Sequence, residues 1–207
     1  MTRIVLTRHG HVAGIEPERF RGRADLPLTA LGASQAKALA ARVAHEWSPS
    51  IVYTSPLERC VATGAAIARA CGIRIEALAD LIDIDFGRWQ GRTVQQVRRS
   101  SPKLLAAWQQ TPQLIRIPGG DSLQDVIARA ANVLRIVLER HSKESDTVVV
   151  VGHDNVNRAL LMQLLDQPAG AFRRISQAPC SITEIEIVGE SIRVLRVNDT
   201  EHLHGLA

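Results

Sequence analysis

Ile4-Val5-Leu6-Thr7 is an apolar run that breaks directly into Arg8-His9-Gly10. A short run of this kind, bounded by charge and glycine, suits a buried strand. The same design recurs twice. Ile51-Val52-Tyr53-Thr54 runs into Ser55-Pro56-Leu57-Glu58-Arg59, and Thr147 to Val151 runs into Gly152-His153-Asp154. In a parallel sheet all three junctions lie at the carboxyl ends of strands, where open α/β folds bind ligands. Arg8, His9, Arg59 and His153 are therefore expected to converge, although they are far apart along the chain.

Between these strands the periodicity turns helical. Thr29 is placed to cap a helix reaching about Trp47, with Leu39, Val43 and Trp47 on one face. Ser55 reads as the cap of the next helix, with Pro56 at its first position and Glu58 completing a capping box. That helix runs to about Ala70, and Gly72 stops it. Arg74 to Leu78 suits an edge strand. Asp121 reads as the cap of a long amphipathic helix whose apolar residues recur at three and four from Leu123 to His141. A further helix follows His153 to about Leu165. Ser181 to Val188 and Ser191 to Val197 form an antiparallel pair around Gly189-Glu190. The alternation predicts one domain over residues 1–207, a three-layer α/β/α sandwich on a mostly parallel sheet with an antiparallel edge. Asp80 to Arg116 is irregular, shortly helical and broken at Pro102 and Pro112. With the Pro118-Gly119-Gly120 turn it predicts an insertion, residues 80–118, capping one end of the sheet.

Composition narrows the function. The chain has 207 residues, 45% hydrophobic and 22% charged, enough for one sizeable core and too balanced for disorder. Apolar runs of four residues do not span a membrane, and Arg8 interrupts any secretory signal. Three cysteines without a C-x-x-C pair suit a reducing cytoplasm. The net charge is +4, and from Phe86 to Arg116 there are six basic residues and no acid. Aromatic residues are 3% of the chain, so no stacking ladder accompanies the charge, which argues against nucleic acid. Arg88 and Arg92 are the basic residues expected nearest the site, as part of a cationic lid. Trp89 and Trp108 read as packing residues, and His202 and His204 as a flexible tail. The sequence fits a monomer or a homodimer.

Two arginines and two histidines meeting at a helix N-terminus describe a phosphate site. Arginine forks bind phosphoryl oxygens in pairs. A neutral imidazole is a competent nucleophile near neutral pH, and a second imidazole can stabilise charge on the transferring group. The arginines supply the positive charge, so the set requires neither metal nor cofactor. An acid must protonate the leaving oxygen, and Asp83, Asp85 and Asp154 are the candidates.

Arg8-His9-Gly10 resembles the signature of the histidine phosphatase superfamily, in its phosphoglycerate mutase-like branch. Further blocks follow in that family's order. They are Arg21-Gly22 with Asp25, Pro27-Leu28-Thr29 and Leu31-Gly32, then Ser55-Pro56-Leu57-x-Arg59. Next come Leu81-x-Asp83-Ile84-x-Phe86-Gly87-x-Trp89-x-Gly91, Pro118-Gly119-Gly120-Asp121-Ser122 and Gly152-His153. The resemblance implies a phosphoglycerate mutase-like fold and a cofactor-independent phosphatase acting on a small anionic phosphomonoester. It implies that His9 attacks phosphorus while Arg8, Arg59 and His153 hold the phosphoryl oxygens. Asp83 would protonate the leaving group and then activate water, and Arg21 and Gly22 would border the rest of the substrate. Three departures stand out. Asp83 occupies a position where glutamate is usual, roughly 1.5 Å shorter, which makes Asp154 the alternative acid. Gln90 and His11 also replace the usual residues. Phosphoglycerate mutase-type transfer by the same intermediate and a non-catalytic phospho-ligand-binding module are the alternatives. A metal hydrolase built on His9, His11, His153 and Asp154 is disfavoured by the adjacent arginines.

Overall fold

A computed structural model describes residues 1–15, 17–141 and 146–206. Six strands form one sheet: β1 (Thr2–Arg8), β2 (Ile51–Thr54), β3 (Arg74–Ala77), β4 (Asp146–Gly152), β5 (Ile182–Val188) and β6 (Ser191–Asp199), in the order β3-β2-β4-β1-β5-β6. The first four run parallel to one another, while β5 and then β6 add antiparallel at one edge. Register sets the three junctions side by side. Arg8 pairs with Gly152, and Thr54 with Val151.

The central strands are apolar on both faces because helices cover both faces. Ile4, Leu6, Tyr53, Val148 and Val150 pack beneath α5 (Leu123–Arg140) and α6 (Asp154–Leu164). Val5, Val52, Val149 and Val151 meet α1 (Ala30–Glu46) and α2 (Glu58–Cys71) through Leu39, Val43, Cys60 and Ile67. The result is the expected α/β/α sandwich with an antiparallel edge. Thr29 caps α1, its hydroxyl accepting the amide of Gly32 at 3.1 Å.

Two caps differ from the sequence reading. The second helix begins at Glu58, with Leu57 in the cap position and no side-chain cap from its own segment. Ser55 lies two residues ahead of the cap position, where its hydroxyl accepts the Leu57 amide at 3.3 Å and also bonds Nε2 of His153 at 2.8 Å. The Asp25 carboxylate, from a distant loop, accepts the Glu58 amide at 2.8 Å instead. At α5 the cap is Ser122, one residue beyond Asp121, in a reciprocal box with Asp125. The Asp121 carboxylate accepts from the Asp85 amide, Arg23 and Arg129, tying three segments together.

Within residues 80–118 lie α3 (Val94–Ser100) and α4 (Pro102–Gln110), separated at Pro102, which opens α4 at its tolerated first position. Trp89 and Trp108 are both buried. The C-terminal segment is not a free tail. Glu201–Leu203 forms a short 3-10 turn, and Nε2 of His202 donates to the Cys180 carbonyl at 3.0 Å. Among the described residues no helix is long and apolar enough to cross a membrane.

Candidate active site

The loop after β1 is clamped from two sides. The His9 amide donates to the Gly152 carbonyl at 3.1 Å, and the Gly10 amide donates to the Thr63 hydroxyl of α2 at 3.1 Å. Helix α1 approaches so closely that a Cβ on Gly10 would lie 2.5 Å from the Gly32 carbonyl oxygen. A Cβ on Gly32 would lie 2.1 Å from the carbonyl of His11. Only glycine fits on either side of this contact, so the loop carrying His9 is set against a helix backbone.

The four expected residues do meet. The His9 and His153 rings pack edge to face with centroids 5.2 Å apart. Nδ1 of His9 lies 2.7 Å from the Gly10 carbonyl. A carbonyl only accepts, so Nδ1 carries the proton and Nε2 keeps its lone pair. Burial, then the neighbouring His153, Arg8 and Arg59, hold His9 well below the ordinary imidazole range. His153 is lowered likewise, by burial and then by Arg59, Arg8 and Arg21. Both rings are therefore neutral at neutral pH.

Arg59 is fully buried in the first turn of α2. Its terminal nitrogens donate to the carbonyls of Gly22 at 2.7 Å and Ala24 at 2.8 Å, and its Nε donates to Nδ1 of His153 at 3.3 Å. Arg8 donates to the Gln177 carbonyl at 2.7 Å. Its Nε is buried without a protein partner among the described residues.

The carboxyl of Asp83 reaches this group. One oxygen lies 3.5 Å from Nη2 of Arg59 and 3.8 Å from Nδ1 of His153. The other accepts from the Ile84 amide at 2.9 Å and from Asn155 at 3.2 Å. Burial pushes this carboxyl above the usual range, against the opposing pull of Arg59. Asp154 is placed differently. Its carboxylate pairs with Arg158 one helical turn on, at 2.9 Å. Arg8, His9, Arg21, Gly22, Asp83 and Asp154 all border one cavity of about 150 Å³. Gly22 has a positive φ of 46°, and a Cβ there would lie 2.6 Å from the Ile84 carbonyl. That close approach carries its own carbonyl to Arg59.

Some expectations fail. Arg88 and Arg92 do not line the cavity, and Arg92 instead hydrogen-bonds the Gln96 carbonyl of α3. His11, one of the departures from the family pattern, lies outside the cavity lining with its Nδ1 2.9 Å from the Thr29 hydroxyl. Among the described residues no group of three or more His, Cys, Asp or Glu is arranged to hold a metal ion. Other residues were missed. Asn155 positions Asp83, and Arg19, Arg158 and Arg173 bring guanidinium groups to the cavity. The Asp154–Arg158 spacing of four was a readable signal. Arg173 sits in an irregular turn that carries no period.

Fold and site together define an α/β enzyme that handles phosphate esters. The family profile of the histidine phosphatase superfamily (branch 1) matches residues 4–200. Phosphoserine phosphatase 1 of Hydrogenobacter thermophilus is 31% identical over 203 residues, covering 98% of this chain and 95% of that protein. A bifunctional protein of Mycobacterium tuberculosis is 32% identical over 203 residues, and there the chain spans only 55% of the relative's length. The solved structure of YhfR from Bacillus stearothermophilus superposes with a TM-score of 0.91 at 28% identity, covering 98% of this chain and 100% of that one. The chain belongs to the histidine phosphatase superfamily, branch 1, and is a phosphatase.

Proposed function

We propose that this phosphatase hydrolyses a small phosphomonoester through a phosphohistidine on His9, without metal or cofactor. The observation that carries the reading is the fixed tautomer of His9. Its Nδ1–H is spent on the Gly10 carbonyl, so the lone pair of Nε2 is available in a cavity flanked by guanidinium groups.

In the first step Nε2 bonds to phosphorus and the ester P–O bond breaks. Asp83 gives its proton to the departing alkoxide, a role favoured by its raised pKa. Arg8, Arg59 and His153 hold the equatorial oxygens, where the charge of the transition state resides. In the second step water attacks the same phosphorus, its proton passes to the Asp83 carboxylate, and the P–N bond breaks. Inorganic phosphate leaves and His9 is restored. Asp83 is preferred to Asp154 as the acid because it lies within 4 Å of both Arg59 and His153, whereas Asp154 is paired with Arg158. Residues 80–118 act as a cap, since Phe86, Val94, Leu105 and Trp108 border the cavity. Free cysteines fit a reducing cytoplasm.

The test is a panel of phosphorylated small molecules in metal-free buffer, read as released inorganic phosphate, with an acid–base lability assay on the quenched enzyme. Expected are free phosphate and a base-stable, acid-labile phosphoenzyme that is absent from His9→Ala. Phosphate returned only in esterified form would make the chain a mutase. Tight phosphate binding with no turnover would make it a binding module.

A further inference from the structure

The cavity holds more positive charge than one phosphoryl group neutralises. Arg8, Arg19, Arg21, Arg158 and Arg173 line it. Glu18, Asp83 and Asp154 are its acids, leaving a surplus of two positive charges, and Arg59 directly behind makes three. A phosphomonoester carries about −2 near neutral pH. One positive charge is left over even with every carboxyl ionised.

The surplus is built in one place. Arg158 and Arg173 are held alike. Nε of Arg158 donates to Asp154 at 2.9 Å, and its guanidinium carbon lies 5.6 Å from the centre of the Phe172 ring. Nε of Arg173 donates to the Trp108 carbonyl at 3.2 Å, and its guanidinium carbon lies 5.2 Å from the centre of the Trp108 ring. Trp108 and Phe172 are themselves buried and in tilted contact at 6.2 Å. Each arginine is thus anchored at Nε and backed by an aromatic face. Among the described residues no hydrogen bond engages the terminal nitrogens of either. Two forks remain, already ordered and bordering the cavity that His9 borders. Burial and then Arg158 hold Arg173 below its ordinary value, so an anion here would relieve repulsion between like charges. Neither side chain is needed for the chemistry of phosphoryl transfer set out above.

We infer that Arg158 and Arg173 form a second anion subsite, and that the substrate is a small phosphomonoester bearing a carboxylate. The inference rests on the proposed phosphatase reading for the location of the phosphoryl group. A further singly charged group is the least that this surplus accommodates, and the two oxygens of a carboxylate match a guanidinium fork. A cavity of about 150 Å³ is small against the several hundred Å³ of typical sites for larger ligands, which favours a carboxylate on a short carbon chain.

The test uses unreactive phosphonates, so that it does not depend on turnover. Phosphonoacetate, 3-phosphonopropanoate and 4-phosphonobutanoate are titrated calorimetrically into the whole protein, each beside its primary amide. The amide keeps the shape and removes the charge. For at least one chain length the acid is expected to bind about tenfold more tightly than its amide. In Arg173→Gln, and separately in Arg158→Gln, that ratio is expected to fall to about threefold or less. Equal binding of acid and amide at all three lengths, or a ratio that survives both substitutions, overturns the subsite. A parallel assay with 4-nitrophenyl phosphate reads the phosphatase reading alone. No hydrolysis there removes the catalytic proposal, while the ratio of acid to amide still decides the subsite.

Discussion

Asp83 and Arg59 approach to 3.5 Å in the protein interior, yet the carboxyl is held above the usual carboxylate range. Burial outweighs the pairing because the guanidinium is shared. Arg59 donates to the carbonyls of Gly22 and Ala24 and to His153 at shorter distances than it reaches Asp83. Burial therefore favours the protonated form of Asp83, while the Arg59 guanidinium is anchored by Gly22, Ala24 and His153.

Asp83→Asn removes that proton. Turnover of an alkyl phosphomonoester is expected to fall by roughly 10²–10⁴-fold, while 4-nitrophenyl phosphate, whose leaving group needs no proton, loses much less in enzyme phosphorylation. Inhibition by inorganic phosphate is expected to persist, because the arginines proposed to hold the phosphoryl oxygens are unchanged. Asp154→Asn is expected to be the milder change. Steady-state kinetics of both variants on both esters decide the matter, and the opposite ranking transfers the acid role to Asp154.

Acidity should act on stability with a definite sign. His9 and His153 are held well below 6.5 in the folded protein. Below about pH 6.5 the unfolded chain takes up protons that the folded one refuses, so stability falls as pH falls. Asp83 has the opposite sign. Its raised pKa means the folded state holds a proton that the unfolded state has lost above about 3.9, so its contribution weakens with rising pH. His9→Gln removes one of the acid-sensitive groups. Urea midpoints at several pH values between 7.5 and 5 are expected to show a shallower acid decline for the variant, and an unchanged slope would mean that His9 is protonated in the folded protein.

Gly10 and Gly32 predict a purely steric failure. Gly10→Ala would drive a methyl group to 2.5 Å from the Gly32 carbonyl oxygen, a backbone atom that cannot swing aside. The expected loss is about 1–3 kcal/mol, together with a drop in kcat, because relief requires the loop carrying His9 to move. Denaturant unfolding and turnover measured on the same preparation test both parts. A variant of normal stability and activity would show that α1 yields at this contact.

The junctions were legible because each pairs a buried apolar run with an abrupt change in residue chemistry. The sheet order places Arg8 beside Gly152 and Thr54 beside Val151, and that convergence follows from parallel pairing alone. What escaped was tertiary competition for side chains. Ser55 reads locally as the cap, but its hydroxyl is shared between the Leu57 amide and His153, ninety-eight residues away, and the cap position falls to Leu57. Asp121 reads as a cap, but Arg23, Arg129 and the Asp85 amide claim it. Arg173 gave no signal, since its position depends on a turn packed against Trp108 rather than on any period. Arg88 and Arg92 looked closer only because they are near Asp83 in sequence.

Ser55 yields the last prediction. Because Nε of Arg59 donates to Nδ1 of His153, the ring proton lies on Nε2 and is donated to the Ser55 hydroxyl at 2.8 Å. For Nδ1 to donate to a phosphoryl oxygen the proton must sit there instead, and Nε2 must then accept. A hydroxyl supports both states, since it accepts in one and donates in the other. Ser55→Ala removes this partner in a fully buried place, where an unsatisfied polar atom costs about 1–3 kcal/mol. The expected outcome is a fall in kcat/KM of about tenfold or more, with inhibition by inorganic phosphate weakened in parallel. Ser55→Thr, which keeps the hydroxyl, is expected to recover part of both. A variant Ser55→Ala that loses stability but binds phosphate as tightly as before would reduce Ser55 to a packing role.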